Sequence, residues 1–456
     1  MAFSPAFFEG RFPVADLDLL ADLIAAARRA GADAADALHV QSAAVSVARR
    51  LGKPEKLERE ESQDLGLRVL IGRRQAVVST TDLGRSALDG LVERAIAMAR
   101  AVPEDPYCGL AEPGELARQF PELDIADDAE PSAELLAERA QAAEDAARAV
   151  PGITNSEGGE ASWSRSRVLL VASNGFAGSY SVTRHGVSAS VLAGSGTAME
   201  RDYDFSAAVH GTDLEDPVAV GRRAGERAVR RLNPRKAATM RAPVIYDPRV
   251  AGGMLGHLAG AINGSSIARG TSFLKDRLGQ AIFPKGVTVI DDPHRQRGLR
   301  SKPFDGEGVA NRRRALIEDG ALTTWILDLR SARQLGLAST GHAARGTGGP
   351  PGPSATNLWL DPGPVTPAEL MEDVAQGLYV TELIGFGVNG ITGDYSRGAA
   401  GFWIENGKIA YPVSEVTVAG NLLDMFRELS AASDLQFRTG VDAPTLRIEG
   451  MTIAGR

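Results

Sequence analysis

Cysteine is nearly absent. The 456 residues contain one, Cys108, which excludes an internal disulfide and any cluster of thiolate metal ligands and fits a reducing compartment. Histidine is scarce too, at six residues, so each can be weighed on its own. No apolar run approaches the roughly 18–20 residues that cross a bilayer. Positive charge is not in excess either: a net charge of −8 argues against a general binder of nucleic acid or anionic membrane. The N-terminus carries acids early and lacks a basic n-region, so it reads as a tail leading into an amphipathic helix rather than a secretory signal. The protein is expected in the cytoplasm.

What is present is a globular composition, 43% hydrophobic and 24% charged, in a chain long enough for two or three domains. Leu17, Leu20, Leu23, Ile24 and Ala27 recur at helical spacing, with Gly31 as a stop. Strands are expected over Ala37–Val47, Leu65–Ile71 and Ala76–Thr80, the last two joined by the turn Gly72-Arg73-Arg74. A helix starts near Ser86 with Leu88, Leu91, Val92, Ala95 and Ala99 on one face. Residues 1–101 thus read as an N-terminal α+β domain, and the proline- and acid-rich 102–131 as a linker or surface excursion. A middle α+β region, 132–236, holds helices over Ser132–Val150 and Pro217–Leu232 and a hairpin turning at Asn174-Gly175. It is able to pack with the first domain as one unit.

Residues 237–456 are β-rich, with hairpin turns at Asp319-Gly320 and Asn406-Gly407 and a helix announced by the capping box Thr366-Pro367-Ala368-Glu369. Strands do not alternate regularly with helices, which excludes a doubly wound parallel sheet. The expected class is α+β: an N-terminal α/β sandwich-like region followed by a β-rich C-terminal domain with few helices.

Self-sufficient chemistry is hard to find. His257 sits in AGGMLGHLAGAINGS (Ala251–Ser265), at the edge of a helical stripe formed by Val250, Met254, Leu258 and Ile262. A zinc helix needs a second ligand about one turn away. Here those positions are Gly253, Gly260 and Ala261, so a structural or interface role is the better reading. His39, His185 and His210 lack neighbours at ligand spacing, and His294 in IDDPHRQRG reads as part of a polar turn. His342 opens the loop HAARGTGGPPGPSATN and is the best polar-cavity candidate of the six. That loop lacks the lysine and following helix of a phosphate cradle, and a G-x-S-x-G nucleophile elbow is absent. The clusters Arg312-Arg313-Arg314 and Arg295-Gln296-Arg297 read as solvated or salt-bridged faces.

Several long segments are recognisable together. The runs Ser265–Phe283, Asp305–Asp328, Gly352–Gly363 and Gly385–Phe426, the last reading GFGVNGITGDYSRGAAGFWIENGKIAYPVSEVTVAGNLLDMF, resemble the TldD/PmbA family. Glu58–Gly72 and the EDPYCGLA segment are similar to it too. The resemblance implies one of two branches that pair as a heterodimer. The TldD branch carries zinc on an HExxxH helix, with a cysteine near the C-terminus completing the site; the PmbA branch, or TldE, lacks those ligands. On that pattern Gly256 falls at the first histidine, His257 at the glutamate and Ala261 at the second histidine, and LQFRTGVDAPTLRIEGMTIAG holds no cysteine. The match is to the PmbA branch.

The resemblance further implies a cytoplasmic metallopeptidase acting on unfolded or extended peptides, such as peptide antibiotic precursors or antitoxins. This chain is expected to hold no metal and no catalytic residue of its own, with zinc in a TldD-like partner. Neither nucleic acid nor membrane is expected as a partner. His342, Arg345 and Asn357 of the glycine-rich loop, and Asp394, Tyr395 and Arg397 of GDYSRG, are the candidates to face the cavity or the partner. Two alternatives remain open: a homodimeric peptide-binding or scaffold protein, and a stand-alone peptidase with a site relocated to His342 and His294.

Overall fold

A computed structural model describes residues 14–455 of the chain; the tail expected at residues 1–13 lies outside the described residues. The N-terminal half runs α1 (Val14–Arg29), β1 (Ala34–Arg50), β2 (Lys53–Ile71), β3 (Arg74–Thr80), α2 (Arg85–Ala101), α3 (Ala133–Arg148), β4 (Ile153–Ala172), β5 (Ala177–Ala193), β6 (Glu200–Ala208) and α4 (Pro217–Arg230). Its strands form one six-stranded sheet in the order β3-β2-β1-β4-β5-β6, every pairing antiparallel. Strands from both sides of the 102–131 segment therefore share a single sheet.

Alternation explains which face is covered. Ala35, Ala37, Leu65, Leu67 and Leu169 point one way and pack with Leu20, Leu23, Leu91 and Ala95 of α1 and α2. On the same face Val187, Ala189 and Val191 meet Ala143, Val220 and Ala224 of α3 and α4. Gly31, at φ +108, ends the first helix as its position predicts. The expected strand at 37–47 runs longer, and β2 begins at Lys53, because the ladder from Ala34↔Leu70 to Arg50↔Lys53 satisfies the backbone of Lys53–Gln63 although those residues are exposed. Edge charges such as Glu58, Arg59 and Glu60 blunt this unpaired margin against stray strand pairing.

Residues 102–131 contain no helix and no extended strand. They are held by backbone bonds to both halves: Thr183 N–H donates to Ile125 (3.0 Å), Ala117 N–H to Gly308 (2.9 Å) and Ala310 N–H to Glu115 (3.0 Å). Leu123 and Ile125 are buried with Val209. The open face of the sheet, through Leu38, Leu170 and Phe176, joins Ala117 of this segment to Phe304 of the C-terminal half.

That half contains β7 (Met240–Tyr246), α5 (Pro248–Ala261), α6 (Gly264–Ala268), β8 (Val289–Asp292), β9 (Arg314–Glu318), β10 (Ala321–Leu322), α7 (Leu329–Leu335), β11 (Ala343–Ala344), β12 (Gly352–Pro353) and β13 (Asn357–Leu360). It continues with α8 (Pro367–Met371), β14 (Gln376–Ile384), β15 (Asp394–Glu405), β16 (Lys408–Asn421), α9 (Leu422–Arg427), β17 (Leu429–Ala431), β18 (Val441–Asp442) and β19 (Leu446–Ala454). The order β16-β15-β14-β7-β19 closes on itself through a β16–β19 pairing, Thr417↔Ala454 to Ala419↔Thr452, and makes a barrel. A smaller sheet, β10-β9-β8-β13-β18, lies beside it. One apolar cluster joins the barrel residues Val244, Tyr246, Leu378, Trp403 and Val418 to Met254 and Leu258 of α5; each such side chain contributes roughly 1.5–3 kcal/mol. The α+β class expected from the sequence is the class of the fold, and barrel closure is the feature added by the structure.

The two halves touch closely at Gly66. A Cβ there would lie 2.2 Å from the backbone oxygen of Thr347, in the loop between β11 and β12. Gly66→Ala is expected to destabilise the protein by about 1–3 kcal/mol in denaturant unfolding. Gly90→Ala on α2, where an added Cβ meets nothing within 4 Å, is expected to be neutral or stabilising. Equal midpoints for the two variants would contradict the close docking.

Candidate functional site

The helix α5 starts cleanly: Asp247 accepts a hydrogen bond from the Arg249 N–H and Pro248 occupies the first turn. Ala251, Met254, Leu255 and Leu258 turn inward. The opposite face is glycine. Gly253, Gly256 and Gly260 are exposed, and a Cβ at any of them would meet nothing within 4 Å. His257 stands at the border of the two faces, half-buried, its ring edge-on to Tyr395 with centroids 5.8 Å apart at 79°. Burial, with Arg397 as a second cause, holds its imidazole below the ordinary histidine range.

These residues do not fit zinc. Gly256 offers no donor, Ala261 is buried in the core, and the charged group nearest His257 in effect is a guanidinium. Among the described residues no group of three His, Cys, Asp or Glu side chains is placed to hold a metal ion.

Of the six candidate residues, β15 brings two to α5. Tyr395 is buried against His257, and Arg397 stands close enough to act on its charge while its Nε donates to Ile384 O (3.3 Å). Asp394 is exposed at the strand start and accepts from Thr392 Oγ1 at 2.6 Å. The glycine-rich loop behaves differently. His342 and Arg345, expected to face a cavity or partner, turn inward. His342 is 2% exposed, with Nδ1 2.9 Å from Thr340 Oγ1 and Nε2 3.1 Å from Asp291 Oδ1. Arg345 donates to Asp36 of β1 at 2.5 Å. Asn357 borders a cavity but its amide is occupied: it donates to Asp292 O (2.7 Å) and Ser301 Oγ (2.8 Å) and accepts from Arg300 N–H (2.9 Å).

The inward turn of Arg345 follows from a buried ion cluster. Arg68 of β2 donates to the second oxygen of Asp36 through Nε (2.8 Å) and Nη2 (2.5 Å), and Glu307 lies 3.8 Å from its Nη1. Burial by itself would raise the Asp36 carboxyl, but Arg345 and Arg68 outweigh it and keep it below the usual carboxylate range. Glu307 is pushed up to about 8, chiefly by burial, with Arg68 opposing and Asp305 adding to the rise. The available signal was parity: Asp36 between Ala35 and Ala37, and Arg68 between Leu67 and Val69, are charges within apolar strand runs, which demand buried partners.

Three family models match the chain in order: the PmbA/TldA metallopeptidase domain 1 over residues 35–99, the central domain over 126–232 and the C-terminal domain over 239–455. Metalloprotease PmbA of Escherichia coli O157:H7 is 41% identical over 427 residues, 93% of each chain. A crystal structure from Bacteroides thetaiotaomicron, described as a modulator of DNA gyrase, is similar with a TM-score of 0.90 and 27% identity, covering 97% of this chain and 100% of that one. TldE from Thermococcus kodakarensis shares the fold, with a TM-score of 0.85 at 21% identity, covering 96% of this chain and 100% of that one.

Two measurements check the site's electrostatics. The folded state holds the Glu307 proton up to about pH 8, whereas the unfolded chain releases it near 4.5. Its stabilisation is therefore full below the unfolded value and declines as pH rises toward 8. Glu307→Gln is expected to flatten the fall in unfolding free energy across that window, and an unchanged slope would remove Glu307 as its source. For His257, an NMR titration is expected below the usual histidine range, with Arg397→Gln moving it upward. No movement would mean that Arg397 does not act on the ring.

Proposed function

The chain belongs to the PmbA/TldD metallopeptidase family, in its PmbA branch, and from that premise we propose that it is the TldE-type subunit of a cytoplasmic peptidase complex. Its partner is a TldD-like chain that carries the zinc, and its substrates are unfolded or extended peptides such as peptide antibiotic precursors or antitoxins. One observation supports this division of labour above the others. At the helix where the family's metal-bearing branch places HExxxH, this chain has Gly256, His257 and Ala261, and the exposed face of α5 offers open space rather than ligands.

The subunit's own part is to shape and close the shared cavity. A glycine face without side chains lets another backbone approach the helix closely, and extended peptides add readily to sheet margins through main-chain hydrogen bonds. Arg397 and the half-buried His257 border that face and give it a polar edge, with Tyr395 packed behind His257.

The purified chain is expected to contain no stoichiometric zinc and to cut no peptide. Co-expressed with a TldD-like protein bearing HExxxH, it is expected to co-purify with it, and elemental analysis then finds the metal in the complex. One tightly bound zinc per chain in the isolated protein would overturn this reading.

A further inference from the structure

The two arginines of Arg295-Gln296-Arg297 have different surroundings. Arg297 reaches Asp124 at 2.6 Å and Asp213 at 2.9 Å. The Arg295 guanidinium lies 3.8 Å from the centroid of the Phe437 ring, and among the described residues no carboxylate stands within ion-pair distance of it. Phe437 is 43% exposed and meets Trp359 edge to face, with centroids 5.5 Å apart at 82°. Arg313 lies 5.9 Å from the Trp359 ring centroid. Arg295, Phe437 and Trp359 line a cavity of ≈ 340 Å³, the size range of small-ligand sites.

The acids bordering this cavity are already occupied. Asp213 is paired with Arg297. Asp442 accepts from the N–H groups of Arg438 (3.0 Å), Thr439 (2.9 Å) and Gly440 (2.9 Å). Asp292, close by, accepts from the His294 N–H at 2.8 Å. Burial lowers the proton affinity of Arg295, and Asp442 and Asp292 offset that only in part. A guanidinium stacked on an aromatic ring with its fork of donors unused matches the two oxygens of a carboxylate.

Position links this cavity to α5. Phe437 belongs to the segment between β17 and β18, and the far side of that segment, through Gln436 and Arg438, lines a second cavity of ≈ 400 Å³ with Gly252 and Gly253 of α5. Asp442 borders both. The segment carrying Phe437 therefore lies between this cationic, aromatic pocket and the Gly253 end of the glycine face.

We propose that this pocket binds a carboxylate of the extended peptide, with Arg295 taking the anionic group and the Phe437–Trp359 pair packing the apolar atoms beside it. The inference rests on the peptide-holding role above and adds a ligand chemistry to it. The carboxylate can be the peptide's C-terminus or an acidic side chain.

The test uses the full chain, alone and with its TldD-like partner, and three fluorescent hexapeptides followed by anisotropy. One is uncharged with a free C-terminal carboxylate, one is its C-terminal amide, and one is the amide carrying a single glutamate. The free acid is expected to bind at least about tenfold more tightly than the plain amide, and Arg295→Gln to erase that difference. Arg295→Lys is expected to restore it in part, and matching unfolding curves for these variants establish that they fold. A gain for the free acid alone assigns the pocket to the terminus, a gain for the glutamate amide alone assigns it to acidic side chains, and equal gains assign it to either carboxylate. No gain over the plain amide from either carboxylate, or a gain untouched by Arg295→Gln, overturns the pocket while leaving the peptide-holding role intact. Failure of every peptide to bind, with and without the partner, overturns both.

Discussion

The docking of the N-terminal sheet against the C-terminal half turns on a buried charge cluster. Asp36 of β1 is gripped by Arg68 from the neighbouring strand and by Arg345 from a loop more than three hundred residues away in sequence. Burying such charges costs several kcal/mol per ion, which mutual attraction offsets only when geometry and hydrogen bonding are good. The docking is the arrangement that gives Asp36 both of its guanidinium partners, Arg68 and Arg345. Gly66, where a backbone comes too close for any side chain, enforces the same arrangement sterically.

That docking explains why the glycine-rich loop does not behave as a free cover. Its first residues are already engaged: Arg345 across the interface by Asp36, and, within the C-terminal half, His342 by Asp291 and Thr340 and Ala343 N–H by Asp305 at 3.1 Å. What stays available lies around α5, whose exposed positions, Gly253, Gly256 and Gly260, carry no side chain. A helix with a full apolar face and an empty outer face retains its packing role while contributing space. It is on this face that the proposed division of labour with a metal-bearing partner rests.

Charge is distributed with the same economy. Several arginines are paired, as Arg297 with Asp124 and Asp213 or Arg223 and Arg227 with Asp204. Against that background a guanidinium resting on an aromatic ring in a cavity, as at Arg295, stands out because its desolvation is not matched by a counter-ion. In sequence, Arg295 and Arg297 are indistinguishable members of one basic run.

Local periodicity and turn chemistry carried the fold class and most elements. The helices from Leu17 and from Ser86, the hairpins at Asn174-Gly175 and Asn406-Gly407, and the capping box at Thr366 all follow from short-range preferences that tertiary context reinforces. The long motifs carried the family, and three substituted positions on one helix carried the branch. Only the tertiary structure decided which buried charges meet, because an ion pair such as Asp36 with Arg345 has no local spacing to reveal it. The charged half of β2 was illegible for a related reason: its order comes from main-chain bonds to β1, and those leave no trace in side-chain periodicity. Closure of the barrel and the solitude of Arg295 belong to the same class, being set by which distant strands and acids happen to meet.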